Sequence, residues 1–410
     1  MRIVHIDIKN YRSCIHTNFS PNEHLSVLIG PNGSGKTNVL SAMRLLQALA
    51  RANHRFVGRS SSPESASPCR FRVTYEVDGK EVVQVATIGI VTNEKNLDEI
   101  TGHDEYWLIP SMSGQKRLRV PNMLLAEYLL VDGNRRYIAP PRTASHVREY
   151  LESIGVNLVA YRAIQRIHEY LSNITYYGAS QFTNPGNSPI SFEVESEEHR
   201  RIGISITGHK KFLFDLYQER REKLPAYDEF IALVGPDGMG LIDEIEFSEI
   251  NTSASSYSVM TGGKVVTKEK RNLLVVPKFK VSGNELSPSQ LSEGTFKTLA
   301  LVFYIIRDKS SVLMIEEPEV CVHHGLLSSI VELVKSHAQL KQIFISTHSD
   351  SVLDRVDVDN IFSVTRSVMG TTVLNIKKKM GHKGLAALRS YLATEGSLGE
   401  YWKHGDLENV

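Results

Sequence analysis

Apolar residues along the chain recur with two periods, and the changes between them outline the fold. Ile3, Val4, Ile6 and Ile8 interleave with Arg2, His5, Asp7 and Lys9, a weak alternation that predicts a strand. Lys9-Asn10-Tyr11-Arg12-Ser13 predicts a polar turn. Leu25–Ile29 is a short, mostly apolar run with the length of a buried strand. Val39, Leu40, Met43, Leu46 and Ala50 then recur at helical spacing with no Gly or Pro between them. The Ser- and Pro-rich stretch Arg59–Pro68 predicts a loop. Phe71–Val77 and Val82–Ile90, joined through Asp78-Gly79, predict a hairpin in a small antiparallel sheet.

Residues 92–140 show no clear period. Val147, Leu151, Ile154, Ile164, Ile167 and Leu171 predict helix over 145–172, and Ile174–Tyr177 a strand. A second helical region is expected over about 195–235 and short strands over 241–283. No heptad repeat is sustained, so no long coiled-coil arm is expected. The last third predicts an apolar helix over Phe296–Ile306, a buried strand over Ser311–Ile315, a helix over about 325–337 and another buried strand over Gln342–Ser346. The sheet is expected to end near Val373-Leu374, with a further helix over Gly384–Leu392. Strands alternating with helices imply a parallel sheet, and ligands of such sheets bind at the carboxyl ends of the strands.

Those ends carry the candidate chemistry. Gly30-Pro31-Asn32-Gly33-Ser34-Gly35-Lys36-Thr37 is a complete G-x-x-x-x-G-K-[ST] phosphate loop between a strand and a helix. Its glycines let backbone N–H groups curl around a phosphate, and the helix N-terminus adds its positive end. Lys36 would reach the β- and γ-phosphates of a nucleotide, and Thr37 would offer a hydroxyl to Mg²⁺. Glu316-Glu317-Pro318-Glu319 and Thr347-His348-Ser349-Asp350 close the two buried strands of the last third. Two carboxylates against an apolar strand need a reason, since such groups are seldom buried unpaired.

Composition adds limits. The chain has 410 residues, enough for about two or three domains. Net charge is +1, so nucleic-acid contact would need a local patch. Basic clusters occur at Lys116-Arg117-Leu118-Arg119, Arg200-Arg201 and Lys268-Glu269-Lys270-Arg271, where solvated charge is the plainer reading. Cys14, Cys69 and Cys321 form no C-x-x-C pair, which suits a reducing cytoplasm. No signal peptide is expected, and the longest apolar run, Leu299–Ile306, is too short to span a bilayer.

Together these residues resemble the ABC-type ATPase heads of the SMC and RecF group, with the ATPase part of OLD-family (overcoming lysogenization defect) and related phage-defence proteins as the nearest pattern. The resemblance covers both ends of the chain, about half of it. It implies an α/β fold: a P-loop ABC-type head whose mixed sheet has a parallel core, with an antiparallel lobe and a helical insertion. The implied division is 1–60 for the first part of the ATPase core, 61–285 for the inserted lobe and helices, 286–375 for the second part of the core, and 376–410 for a tail. The cofactors it implies are ATP and Mg²⁺. Gly30, Asn32, Gly33, Ser34, Gly35, Lys36 and Thr37 match Walker A. Met314-Ile315-Glu316-Glu317 match Walker B, with Glu316 holding Mg²⁺ through water and Glu317 the general base. Most ABC ATPases carry Asp where Glu316 stands; either carboxylate suits a hard cation. Leu291–Thr295 resemble the signature, with Glu293 in place of the usual Gly or Ser, and Ser292 and Gly294 would touch ATP held by a second subunit. His348 matches the switch histidine. Gln181 matches the Q-loop glutamine, which serves both catalysis and metal. Arg12 matches a nucleotide-touching position, with a solvated turn residue as its other reading. His323 matches a histidine of the OLD-like pattern, or caps a helix.

The resemblance implies ATP hydrolysis and an ATP-linked homodimer or higher homo-oligomer, and no membrane. OLD-family nucleases continue into a Toprim domain of roughly a hundred further residues. Here Asp357 and Asp359 are a stray acidic pair, so no cutting is expected of this chain. The leading expectation is a sensor or regulatory subunit of a prokaryotic anti-phage complex, partnered by a separately encoded nuclease or toxin. The alternatives are a RecF-like repair or maintenance ATPase that binds DNA itself, and an ATP-loaded assembly scaffold. Tyr401 and Trp402 in the glycine-punctuated tail suit either partner docking or a fold-back on the same domain.

Overall fold

The computed structural model describes residues 1–51, 68–92, 98–109, 117–119, 128–131, 134–137, 158–195, 208–259, 265–394 and 396–403. It divides into two units. The first holds Met1–Ala179, Lys309–Pro318 and Lys335–Val410, and the second Ser180–Asp308 and Glu319–Val334.

In the first unit the alternating N-terminus forms β1 (Arg2–Tyr11), paired antiparallel with β2 (Cys14–Phe19). The short, mostly apolar run forms β3 (Leu25–Ile29), buried at every position, and α1 (Lys36–Ala50) follows the phosphate loop. β4 (Cys69–Val77) and β5 (Lys80–Thr92) are the expected hairpin, extended by β6 (Asp98–Leu108). β7 (Tyr128–Val131) and β8 (Asn134–Tyr137) pair with each other. α2 (Leu158–Ser172) leads into β9 (Ile174–Tyr177). The expected helical stretch 145–157 lies outside the described residues.

In the second unit β10 (Phe192–Glu195) precedes α3 (His209–Arg221) and α4 (Pro225–Val234). The described part of the helical region expected over about 195–235 therefore holds two helices. Lys223 at φ 52 and the missing N–H of Pro225 break it. The long hairpin β11 (Glu244–Val259) and β12 (Val265–Val281) pairs with β10 and with β13 (Asn284–Leu286). α5 (Glu293–Arg307) ends the unit's main span.

The chain then returns to the first unit with β14 (Val312–Glu316). α6 (His324–Ala338) runs across the division, and β15 (Gln342–Thr347), α7 (Asp350–Leu353), β16 (Ile361–Ser367), β17 (Gly370–Asn375), α8 (Ile376–Thr394) and α9 (Leu398–Lys403) complete the chain. The central sheet has the order β17-β16-β3-β15-β14-β9. It is parallel from β16 to β9, and β17 alone is antiparallel. The mixed α/β sheet with a parallel core is thus as expected. Leu28, Val39, Leu40, Ile164, Met314 and Phe344 share one buried cluster under α1 and α2.

β1 and β2 join β4, β5 and β6 in one antiparallel sheet, order β2-β1-β4-β5-β6, so the antiparallel lobe starts at the N-terminus. The cause is that β1 pairs antiparallel on both sides, with β2 and with β4. The stretch expected as one inserted region is shared between the two units at Ala179/Ser180.

A buried polar chain ties this lobe to α2. The Tyr75 hydroxyl donates to Gln84 (2.7 Å), Gln84 donates to Glu105 (2.9 Å), and Glu105 lies 3.3 Å from His168 Nε2. Burial by itself raises the Glu105 carboxyl pKa, but hydrogen bonds from His168 and Gln84 outweigh it and hold the group below its ordinary value. Stability from a depressed carboxyl is present above its unfolded pKa and lost as pH falls through the folded one. Glu105→Ala is expected to cost about 3 kcal/mol or more, because it leaves buried partners unpaired. Urea denaturation near neutral pH checks this; a loss under about 1 kcal/mol would mean that the pair contributes little.

The described part of the tail folds back within its own unit. Leu398 is buried, the Gly399 N–H donates to Asp354 (2.7 Å), and the Tyr401 ring sits 5.2 Å from Tyr391. Tyr401 and Trp402 are half-buried. Of the basic clusters, Arg117 lies over the Tyr106 ring at 4.8 Å and Arg119 pairs with Asp104. Lys116, Arg200 and Arg201 lie outside the described residues, and Lys268, Lys270 and Arg271 are described as β12 backbone only.

Candidate functional site

The phosphate loop connects the carboxyl end of β3 to α1 and rests on the strands beside it. A Cβ on Gly30 would meet the Val364 carbonyl oxygen at 2.2 Å, and one on Gly35 would meet the Thr371 hydroxyl at 2.2 Å. Gly35 is also left-handed, φ 105, where it caps α1. Thr371 Oγ1 lies 2.8 Å from Ser13 Oγ and 3.1 Å from the Ser34 carbonyl oxygen, and Asn38 donates to Ser13 Oγ at 2.6 Å. Ser13, Ser34, Asn38 and Thr371 therefore brace the loop from beneath.

Lys36 is buried along its stem, and its ammonium donates to the carbonyls of Gly30 (2.7 Å) and Pro31 (3.2 Å). Ser34 Oγ is buried without a hydrogen-bond partner among the described residues. A buried hydroxyl left this way calls for a ligand or water. Asn32 and Gly33 are exposed at the crest, and nothing lies within 4 Å of a Cβ placed on Gly33. The loop thus presents N–H groups, a cation and an orphaned hydroxyl, a donor set that fits a polyphosphate.

Thr37, the second residue of α1, donates its hydroxyl to Glu316, the last residue of β14. The other carboxylate oxygen of Glu316 accepts from Tyr176 on β9. Among the described residues no cluster of three His, Cys, Asp or Glu side chains could hold a metal by itself. One carboxylate and one hydroxyl still fit Mg²⁺, which takes oxygen ligands, few of them from protein, and completes its shell with phosphate and water.

Glu317 follows with φ 44, left-handed backbone that a residue with a Cβ seldom adopts. Its N–H donates to the Ser346 carbonyl at 2.8 Å, which fixes the turn against β15. Its carboxylate lies 3.6 Å from His348 Nδ1, one residue past β15. Lys36, Thr37, Glu316, Glu317 and His348 therefore share the carboxyl edge of the parallel strands in one unit.

Of the remaining predicted residues, Arg12 belongs to the first unit and Gln181, Ser292, Gly294 and His323 to the second. Arg12 is exposed at φ 49 with its guanidinium 5.4 Å over the Tyr11 ring, next to the bracing Ser13. Gln181 sits in the turn after β9, at the start of the second unit. Ser292 is the N-cap of α5 and accepts from the Thr295 N–H at 3.1 Å. A Cβ on Gly294 would lie 2.5 Å from the Cys321 carbonyl oxygen, so that glycine has a packing reason of its own. His323 Nδ1 accepts from the Gly325 N–H (3.3 Å) at the start of α6. Sequence patterns point to none of Ser13, Tyr176 and Thr371. Nothing local marks them, because the partners of their side chains lie 25 or more residues away.

Two family descriptions match the ends of the chain: "AAA ATPase domain" over residues 1–109, and "AAA domain, putative AbiEii toxin, Type IV TA system" over residues 280–354. The DNA replication and repair protein RecF of Chlorobium phaeobacteroides is 27% identical over 217 residues, 51% of this chain and 54% of that one. RecF of Prosthecochloris aestuarii is 41% identical over 66 residues, 16% and 18% of the two chains. The chain thus spans about half the length of the first relative and under a fifth of the second. Among solved structures, the SMC head domain from Thermotoga maritima aligns over 92% of this chain and 99% of its own, at 13% identity and TM-score 0.42. An Smc head bound to the C-terminal domain of ScpA, from Pyrococcus furiosus, aligns over 94% and 99%, at 16% and 0.44. No described helix is long and apolar enough to cross a membrane. The two ends of the chain are thus each similar to an AAA-type ATPase description, and about half of the chain is similar in sequence to RecF.

Proposed function

We propose that this chain binds ATP with Mg²⁺ and hydrolyses it to ADP and phosphate. The observation that carries the reading is the placing of Glu317, in left-handed backbone 3.6 Å from His348, on the edge that also bears the phosphate loop. Backbone N–H groups of residues 33–37 bind the phosphates, and Lys36 turns from the carbonyls of Gly30 and Pro31 to the β- and γ-oxygens. Thr37 and Glu316 hold the cation, which when bound adds Lewis-acid charge at the β- and γ-phosphoryl oxygens. Glu317 orients a water in line with the γ-phosphorus and takes its proton. The water oxygen bonds to the γ-phosphorus as the bond from that phosphorus to the β,γ-bridging oxygen breaks, and the electron pair of the broken bond leaves with ADP. His348 holds the Glu317 carboxylate and senses the γ-phosphate, and Gln181 and Arg12 are further nucleotide contacts.

Hydrolysis is coupled to dimerisation: Ser292 and Gly294 of one copy face the nucleotide of another. Ser292→Arg is expected to bind ATP as the parent does and to lose hydrolysis and ATP-dependent dimerisation. Ser292→Ala controls for loss of the helix cap, about 1 kcal/mol. Light scattering with and without ATP and a phosphate-release assay read both; parental turnover by Ser292→Arg would remove the sandwich.

For the cellular role we favour a sensor or regulatory subunit of an anti-phage complex of OLD-like kind, with a separate nuclease or toxin. The support is the Glu316–Glu319 run and the family description over residues 280–354, which names a toxin–antitoxin system. The RecF likeness favours a second reading, a DNA repair or maintenance ATPase. Phosphate release with and without linear and gapped DNA decides between them. Stimulation by DNA supports the second; indifference to DNA with a co-purifying partner supports the first.

A further inference from the structure

Glu316 is held from two sides. One carboxylate oxygen accepts from Thr37 at the start of α1, and the other accepts from Tyr176 on the edge strand β9. β9 runs parallel to β14 with Tyr176 opposite Met314, so the phenol reaches along the strand to the residue two places on. The Arg44 guanidinium covers the Tyr176 ring at 4.4 Å. Arg44 lies two turns after Thr37 on the same helix, so α1 fixes both the hydroxyl on one carboxylate oxygen and the ring that serves the other. The phenol is the donor in its bond to Glu316.

The two hydroxyls differ in what loading asks of them. With Mg²⁺ bound, the Thr37 hydroxyl would serve the cation in place of Glu316. Among the described residues Tyr176 would then be the side-chain donor left to set the direction of the Glu316 carboxylate. Without that donor the carboxylate can rotate, and it must be re-ordered each time the cation arrives.

We propose that Tyr176 is a positioning residue for Glu316, and that its hydroxyl sets the Mg²⁺ concentration at which the nucleotide site loads. This rests on the ATP–Mg²⁺ reading above. Tyr176 touches neither phosphate nor water in this role; it acts through the carboxylate.

The test is binding of a fluorescent ATP analogue to the full chain, in EDTA and across a Mg²⁺ titration. Tyr176→Phe keeps the ring and its cover by Arg44 and removes only the hydroxyl. It is expected to bind the analogue in EDTA as the parent does and to need roughly tenfold more Mg²⁺ to reach its midpoint, the usual size of a lost partner behind a metal ligand. A purely structural role would lower the melting temperature and leave the Mg²⁺ midpoint alone. In a Glu316→Gln background, Tyr176→Phe is expected to shift the midpoint no further. A parental midpoint for Tyr176→Phe, or full additivity with Glu316→Gln, overturns the proposal. A parent chain that binds no analogue at any Mg²⁺ concentration overturns the ATPase reading itself, a distinct outcome.

Discussion

Lys36→Ala is expected to weaken ATP binding by about a hundredfold or more, the loss of two charge-assisted hydrogen bonds to phosphate. Its ammonium spans the loop, 2.7 Å from the Gly30 carbonyl and 3.2 Å from that of Pro31. That geometry places the charge inside the curl of N–H groups where the β- and γ-phosphates would lie. The substitution removes the cation and leaves the loop carbonyls without their donor, so the loop also loses order. Isothermal titration with ATP and Mg²⁺ reads the affinity, and a melting curve without nucleotide separates loss of binding from loss of fold. Parental affinity in a folded Lys36→Ala chain would remove the phosphate-loop reading.

Glu317→Gln is expected to bind ATP as tightly as the parent and to lose between about a hundredfold and ten-thousandfold in turnover, since an amide cannot accept the proton of the attacking water. The side chain keeps its size, and the left-handed backbone at φ 44 is held by the bond from the Glu317 N–H to Ser346 rather than by the carboxylate. The fold is therefore expected to melt as the parent does. A chain that closes around ATP and cannot hydrolyse it should accumulate as the closed dimer, which sizing in the presence of ATP detects. An active Glu317→Gln chain would place the base elsewhere, with Glu319 the next candidate.

These two substitutions test the parts of the site that are legible in the amino-acid pattern alone. A glycine-rich loop between an apolar run and an amphipathic helix is a local pattern. So are paired carboxylates and a histidine at the ends of two five- or six-residue apolar strands. Each is specified within about ten residues, because backbone conformation and strand or helix periodicity are local properties. The parallel core follows from the alternation of strands and helices, and with it the gathering of Lys36, Thr37, Glu316, Glu317 and His348 on one sheet edge.

What holds that edge in place depends on contacts between distant segments. Gly30 is small because the Val364 carbonyl lies against it, and Gly35 because Thr371 does. Thr371 in turn bonds Ser13, 358 residues away in sequence. Tyr176 reaches Glu316 across 140 residues. No periodicity encodes such pairs, since a hydroxyl donates equally well to any acceptor the fold presents. The placing of β1 has the same origin. Its alternation marks a strand, but strand-to-strand pairing puts it in the antiparallel lobe rather than the central parallel sheet. For Ser292, motif and structure supply different reasons for one residue: a signature position by pattern, and by geometry the cap of α5. Local sequence determines which groups carry the chemistry, because loop, strand and helix patterns are short-range. The packing of distant strands determines which side chains hold those groups still.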